Sequence, residues 1–145
     1  SQGVALGLCL PKTAWLRLVT LREGKDVTIV ATGLCVCPAL EAAVLLSEAG
    51  VCAEVINIHT IKPLDTQLIA ASAKKTGRVV TVEEHSVIGG LGSAVCDALA
   101  EKYPVPVKKL GIQDTYGESG SAEKLLEKYG LDVPSIYSAV RAFVG

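Results

Sequence analysis

A chain of 145 residues, half of them hydrophobic and a fifth charged, is long enough for one domain and apolar enough to bury a core, which excludes a disordered segment. Its 14 Lys and Arg against 15 Asp and Glu, with one Trp, one Phe and four Tyr, leave neither the basic footprint of a nucleic-acid binder nor an acidic tail. Gly, Pro and charged residues interrupt every apolar run well short of the ~20 residues of a membrane helix.

Residues 1–16 are apolar and irregular, and Lys12 follows the apolar run instead of preceding it, against the order of a secretory signal. They are expected to be an irregular lead or an expression artefact, with the domain proper over 17–145. The cysteines, Cys9, Cys35, Cys37, Cys52 and Cys96, are odd in number, and a domain of this size needs no disulfide framework. A reducing cytoplasm is the simplest compartment. Cys35-x-Cys37 lacks Cys-x-x-Cys spacing and has no histidine close in sequence, so it carries no metal or redox motif.

Leu16–Leu21 reads as a short edge strand, followed by a turn at Gly24-Lys25-Asp26. Val27–Ala31 is an almost continuous β-branched run, the pattern of a strand covered on both faces. Gly33 breaks it, Pro38 suits a first helical turn, and Ala39–Ala49 reads as a helix with Leu40, Ala43, Val44 and Ser47 on one face. Gly50 is placed to stop it. Cys52–Ile58 is the next strand. Asp65 caps a helix over Thr66–Lys75, and Gly77 ends it.

Val79–Glu83 is a third strand of this kind, followed by a loop over Glu84–Leu91 and a helix over Gly92–Lys102. Val105–Ile112 is a fourth. Two helices finish the chain, one from Ser121 to Tyr129 closed by Gly130, the other capped by Asp132 with Pro134 in its first turn. Tyr137, Val140, Arg141 and Val144 share a face of the last. Strands alternating with helices imply right-handed crossovers, a parallel sheet and a three-layer α/β/α sandwich. The first strand lies too close in sequence to Val27 for a parallel pairing with it. It is expected at an edge, antiparallel to the rest of a sheet of about five strands.

Chemistry-bearing residues gather after the strands. Gly89-Gly90-Leu91-Gly92-Ser93-Ala94 opens a helix, where amides favour anions, but it follows the wrong strand for a dinucleotide fingerprint. Close packing of the helix on the sheet or on a partner domain is the plainer reading. Glu83-Glu84-His85 sets carboxylates beside an imidazole at a strand end, either for acid–base work or as a solvated loop or intersubunit contact. His59, near Lys62, can meet an anionic substrate or be a surface residue. Tyr116-Gly117-Glu118-Ser119-Gly120 is a polar turn. The sequence contains no nucleophile elbow, no phosphate loop and no histidine pair at metal spacing.

Several of these segments resemble transketolase-type C-terminal domains. Asp26–Gly33 is similar to their opening strand, and Ala53–Asn57 with Thr60–Asp65 to their second strand and loop. Val80–His85 with Gly89–Gly92 is similar to their third unit. Together they extend the likeness from about Val19 to the end of the chain. Gly117–Gly120 followed by Glu123–Leu131 resembles a transketolase tail, and Glu83-Glu84-His85 fits transketolase better than the related dehydrogenases. The nearest alternatives within the superfamily are deoxyxylulose-phosphate synthase and the beta subunits of 2-oxoacid dehydrogenases. Outside it stand a lone anion- or nucleotide-binding module and a purely structural interaction domain.

The resemblance implies part of a larger, cytoplasmic, homodimeric enzyme of the pentose phosphate pathway, which moves a two-carbon ketol unit between sugar phosphates. It implies thiamine diphosphate and magnesium, held by pyrophosphate- and pyrimidine-binding domains or a subunit outside this chain. On that basis no catalytic, cofactor-binding or metal residue is expected here, and the chain alone is expected to be inactive. His59 matches a position where the synthase carries an arginine near its substrate phosphate, so His59 and His85 are the candidate substrate contacts. Gly89, Gly90, Gly92 and Glu118 are the candidate interface residues.

Overall fold

The computed structural model describes residues 19–58, 66–86, 90–112 and 122–145. Five strands, β1 (Val19–Arg22), β2 (Val27–Ala31), β3 (Ala53–Asn57), β4 (Val79–Ser86) and β5 (Val107–Ile112), form one sheet in the order β1-β3-β2-β4-β5. All neighbours are parallel except β1, which runs antiparallel to β3 at the edge. Among the described residues the helices are α1 (Val36–Glu48), α2 (Thr66–Thr76), α3 (Leu91–Lys102), α4 (Ala122–Lys128) and α5 (Val133–Val144), and a 3-10 turn over Gly33–Cys35 leads into α1.

The chain moves from β2 outward to β3, then returns past β2 to β4 and β5. Crossovers of one hand place their helices on opposite faces when the direction of travel reverses. Alternate side chains therefore feed two cores. Val27, Ile29, Ala31, Val55, Val80 and Val82 pack with Ala39, Ala43 and Leu46 of α1 and Ile136 and Val140 of α5. Val30, Ile56, Ile58 and Val79 pack with Ile69 and Ala73 of α2 and Leu91, Val95 and Leu99 of α3. The result is the expected three-layer sandwich. Each fully buried Ile or Leu contributes roughly 1.5–3 kcal/mol by leaving water.

Two helix stops follow from their residues. Gly50 and Gly130 have positive φ, and the residues after them, Val51 and Leu131, donate back to Leu46 and Leu126 at 2.8 and 2.7 Å. Asp132 accepts from the Ser135 amide at 3.3 Å, the cap expected for α5.

Three expectations need correction. The first long helix begins at Val36 rather than Ala39, because the 3-10 turn leads directly into it. Its buried stripe is Val36, Ala39, Ala42, Ala43 and Leu46, whereas Val44 is 48% exposed and Ser47 lies outside the core. The apolar residues on α1 outnumber one face, so spacing alone selected a stripe rotated away from the sheet. On α5 the expected face holds: Tyr137, Val140 and Val144 pack on the core with Ile136, and Arg141 at its margin hydrogen-bonds the Tyr137 hydroxyl at 3.0 Å. Finally, β4 continues to Ser86, so Glu84 and His85 belong to a strand and not to the loop expected from Glu84 onward.

Cys35, Cys52 and Cys96 are free thiols. Cys37 is disulfide-bonded, which departs from the expected reduced set. No described helix is long and apolar enough to cross a membrane.

Candidate functional site at the strand ends

In open α/β sheets ligands collect beyond the carboxyl ends of the parallel strands, where the strand order reverses. Here that place lies between β2 and β4. After β2 the chain turns through Thr32, Gly33 and Leu34. Thr32 donates its amide to the Val82 carbonyl of β4 at 3.2 Å, and Ile58 donates to the Ala31 carbonyl at 2.9 Å. The turn is thus stitched to both neighbouring strands.

Glu83 and Glu84 follow Val82 and, by the period of a strand, point to opposite faces. Glu83 is fully buried. One of its oxygens accepts from the Leu91 amide at 2.7 Å and the other from the Gly92 amide at 3.1 Å. Both amides belong to the first turn of α3, where backbone donors lack helical partners and the dipole favours negative charge. Glu84 accepts on the other face from the Leu34 amide, at 3.2 Å to Oε1 and 3.3 Å to Oε2. One strand thereby supplies a carboxylate to the helix layer on each side of the sheet.

Two glycines depend on these contacts. Gly33 has φ +52°, and a Cβ there would stand 1.9 Å from Glu84 Oε1, so a side chain would displace the carboxylate. A Cβ on Gly92 would meet the Lys109 stem at 2.8 Å and Thr81 Oγ1 at 3.0 Å. Gly92 is therefore explained by close packing of α3 on its own sheet. Gly90 is the extended residue before α3, with φ −95° and ψ −150°. His59, Gly89 and Glu118 lie outside the described residues, and His85 is described only through its backbone in β4.

The carboxylates do not face an available acid–base partner among the described contacts. They hold backbone amides instead. Cys35, fully buried beside this turn, is no nucleophile either. Burial pushes its thiol far above the ordinary range, and the charges of Glu84 and then Glu83 push the same way. The Oγ1 atoms of Thr32 and Thr81 are buried without a hydrogen-bond partner. Among the described residues, no group of three or more His, Cys, Asp and Glu side chains is placed to hold a metal ion.

A second polar cluster, which sequence reasoning missed, lies at the amino ends of the strands. Glu54 of β3 is 4% exposed and accepts from the Gly24 amide at 3.1 Å, from Ser72 Oγ at 2.6 Å and from Lys75 Nζ. Thr28 Oγ1 joins the cluster through Ser72 Oγ at 2.6 Å and Thr76 Oγ1 at 2.7 Å. Burial, the largest single influence, would raise the Glu54 pKa. The hydrogen bonds from Lys75, Ser72 and Gly24, with the Lys75 charge, together outweigh it and hold the carboxyl below its usual range. The available signal was a glutamate inside an otherwise apolar, doubly covered strand, which must find partners or stay unformed.

The comparisons with known proteins agree with this architecture. Residues 17–136 match the family model of the transketolase C-terminal domain. The chain is 52% identical over 119 residues to the 6-deoxy-6-sulfo-D-fructose transketolase subunit SqwH of Clostridium sp. (strain MSTE9), covering 82% of this chain and 37% of that protein. It is 45% identical over 126 residues to 1-deoxy-D-xylulose-5-phosphate synthase 1 of Geobacter sulfurreducens (strain ATCC 51573 / DSM 12127 / PCA), covering 86% of this chain and 20% of that protein. A solved structure described as a split gene transketolase, inactive beta4 tetramer, superposes with a TM-score of 0.81 at 52% identity, covering 87% of this chain and 41% of that one. The chain thus spans well under half the length of these relatives. With the family model matched over residues 17–136 and the fold matched by a solved structure at 52% identity, the chain belongs to the transketolase C-terminal domain family.

Proposed function

We propose that this chain is the C-terminal domain or subunit of a transketolase, and that the complete enzyme transfers a two-carbon ketol unit from a ketose phosphate to an aldose phosphate. The observation that carries this reading is the 52% identity, over 82% of the chain, to a protein named as a transketolase subunit. On this reading thiamine diphosphate and magnesium belong to pyrophosphate- and pyrimidine-binding domains or to a partner subunit.

The described residues do not fit either group. The strand-end carboxylates are taken up by the amides of Leu34, Leu91 and Gly92, and Glu54 is taken up by Gly24, Ser72 and Lys75. The chain alone, with its domain proper over 17–145, is therefore expected to be inactive. Its working form is a homodimer of the complete enzyme, placed in the cytoplasm where phosphorylated sugars are found. Gly89, Gly90 and Glu118 are its contacts to neighbouring domains. His59 and His85 are its contributions toward substrate.

Reconstitution tests this. The chain mixed with its thiamine-binding partner is expected to restore ketol transfer between sugar phosphates, with neither part active alone. A mixture that instead condenses pyruvate with an aldose phosphate would favour the second reading, a deoxyxylulose-phosphate synthase, which the 45% identity to the Geobacter synthase supports. Thiamine diphosphate titrated calorimetrically into this chain alone is expected to give no heat, and tight binding would overturn the division of labour.

A further inference from the structure

We propose that Glu84 is a built-in anion: its carboxylate takes up the Leu34 amide of the β2–α1 turn at the reversal of strand order, withholds that donor from exogenous phosphate or nucleotide, and locks the turn to β4. The inference is independent of the ketol-transfer reading, because every contact that supports it lies within this chain.

Four observations converge. The crevice between β2 and β4 is where doubly wound sheets take anionic ligands. Both oxygens of Glu84 lie within hydrogen-bond distance of the Leu34 amide, so the charge sits squarely on the donor of that turn. Gly33 bends with φ +52° and leaves free the space a Cβ would take from Oε1, so the turn is shaped around the carboxylate. The Thr32 amide is bonded to Val82, two residues before Glu84, so turn and strand are clamped at two adjacent points. Glu83 does the equivalent at α3 on the opposite face, leaving that helix start occupied as well.

Glu84 is accordingly a positioning residue. It fixes the strand from which His85 continues and the turn that enters α1. The amide donor of this turn is then satisfied from within, and a substrate phosphate met by this domain must find its donors elsewhere.

A mutant cycle on the full chain tests the assignment. Glu84→Ala is expected to lower the melting temperature by on the order of 5–10 °C, from the loss of a charged hydrogen bond in a domain of this size. Glu84→Gln, which keeps an oxygen at the same place, should recover most of that loss. Formate should raise the melting temperature of Glu84→Ala above the value in chloride at equal ionic strength, and should leave the wild type and Glu84→Gln unmoved. Gly33→Ala should cost less in the Glu84→Ala background than in the wild type, because only the strain of positive φ remains there. Inorganic phosphate titrated calorimetrically into the wild type should give no heat. Absence of a formate response, additive costs in the cycle, or phosphate binding by the wild type would each overturn the proposal. Where Glu84→Ala fails to fold, Glu84→Gln decides: it must remain silent to phosphate, and Gly33→Ala must cost as much in its background as in the wild type.

Discussion

At the amino ends of the parallel strands, Glu54 is held by a glycine amide, a serine hydroxyl and a lysine. At the carboxyl ends, Glu83 and Glu84 are held by the amides of helix starts. Both ends bury carboxylates, but the donors differ in kind. The amino end ties sheet to helix through side chains of α2, whose positive partner, Lys75, is still 45% exposed. The carboxyl end ties sheet to backbone, with no side-chain cation among the described contacts of Glu83 and Glu84. The first end therefore fastens the sheet to α2, while the second fixes the turn that enters α1 and the start of α3.

The sharpest way to break this contrast is at Gly24. A Cβ there would lie 2.3 Å from the Ala53 carbonyl carbon, so Gly24→Ala must push the turn away from β3 and strip Glu54 of a donor. We expect a loss of more than about 3 kcal/mol in denaturant unfolding. Ketol transfer per folded molecule in the reconstituted enzyme should be unchanged, and a specific loss of activity would erase the distinction between the ends. Glu83→Ala comes next, at about 3 kcal/mol, since it leaves the buried amides of Leu91 and Gly92 without an acceptor. Unlike the Gly24 variant, it should also weaken assembly with the partner, read as a raised subunit concentration at half-maximal activity.

Glu54→Gln sharpens the comparison through pH. A carboxyl held below its ordinary value of 4.5 contributes stability that is fully present above that value and is lost as pH falls through the folded-state pKa. The stability gap between wild type and Glu54→Gln should therefore close on acidification below about pH 4.5, the ordinary value of the carboxyl. Lys75 is raised above its ordinary value of 10.5, first by the hydrogen bond to Glu54. Its share is present below that value and is lost only as pH rises through its folded-state pKa. A gap that stays constant from neutral pH into acid would mean that Glu54 is not ionised in the fold. Lys75→Met should be the mildest of the set, at less than about 1 kcal/mol, because the ammonium is half in water.

Much of the architecture was legible. The β-branched run Val27–Ala31, the stops at Gly50, Gly77 and Gly130, and the Asp132 cap all state their local structure directly, because each is a preference of backbone or immediate neighbours. The antiparallel edge strand was expected from the short connection to β2, but the partner it pairs with is β3. The face of α1 was not legible, since Leu40, Val44 and Leu45 compete with the true stripe and only the position of α5 decides which of them is covered. For the candidate site, the residues were legible and their roles were not. Glu83-Glu84 was visible as a charged pair beside a histidine, but whether a carboxylate meets a substrate, solvent or a helix amide depends on elements distant in sequence, such as Leu34, fifty residues away.

The sequence by itself determined the alternation of strands and helices, and with it a doubly covered parallel sheet, because those follow from local periodicity, turn residues and the hand of crossovers. Only the tertiary structure decided that consecutive glutamates on β4 serve opposite layers and that Glu54 is buried with a lysine. Such pairings are set by which helix start or side chain arrives within hydrogen-bond reach, and that distance exists only once the layers have packed.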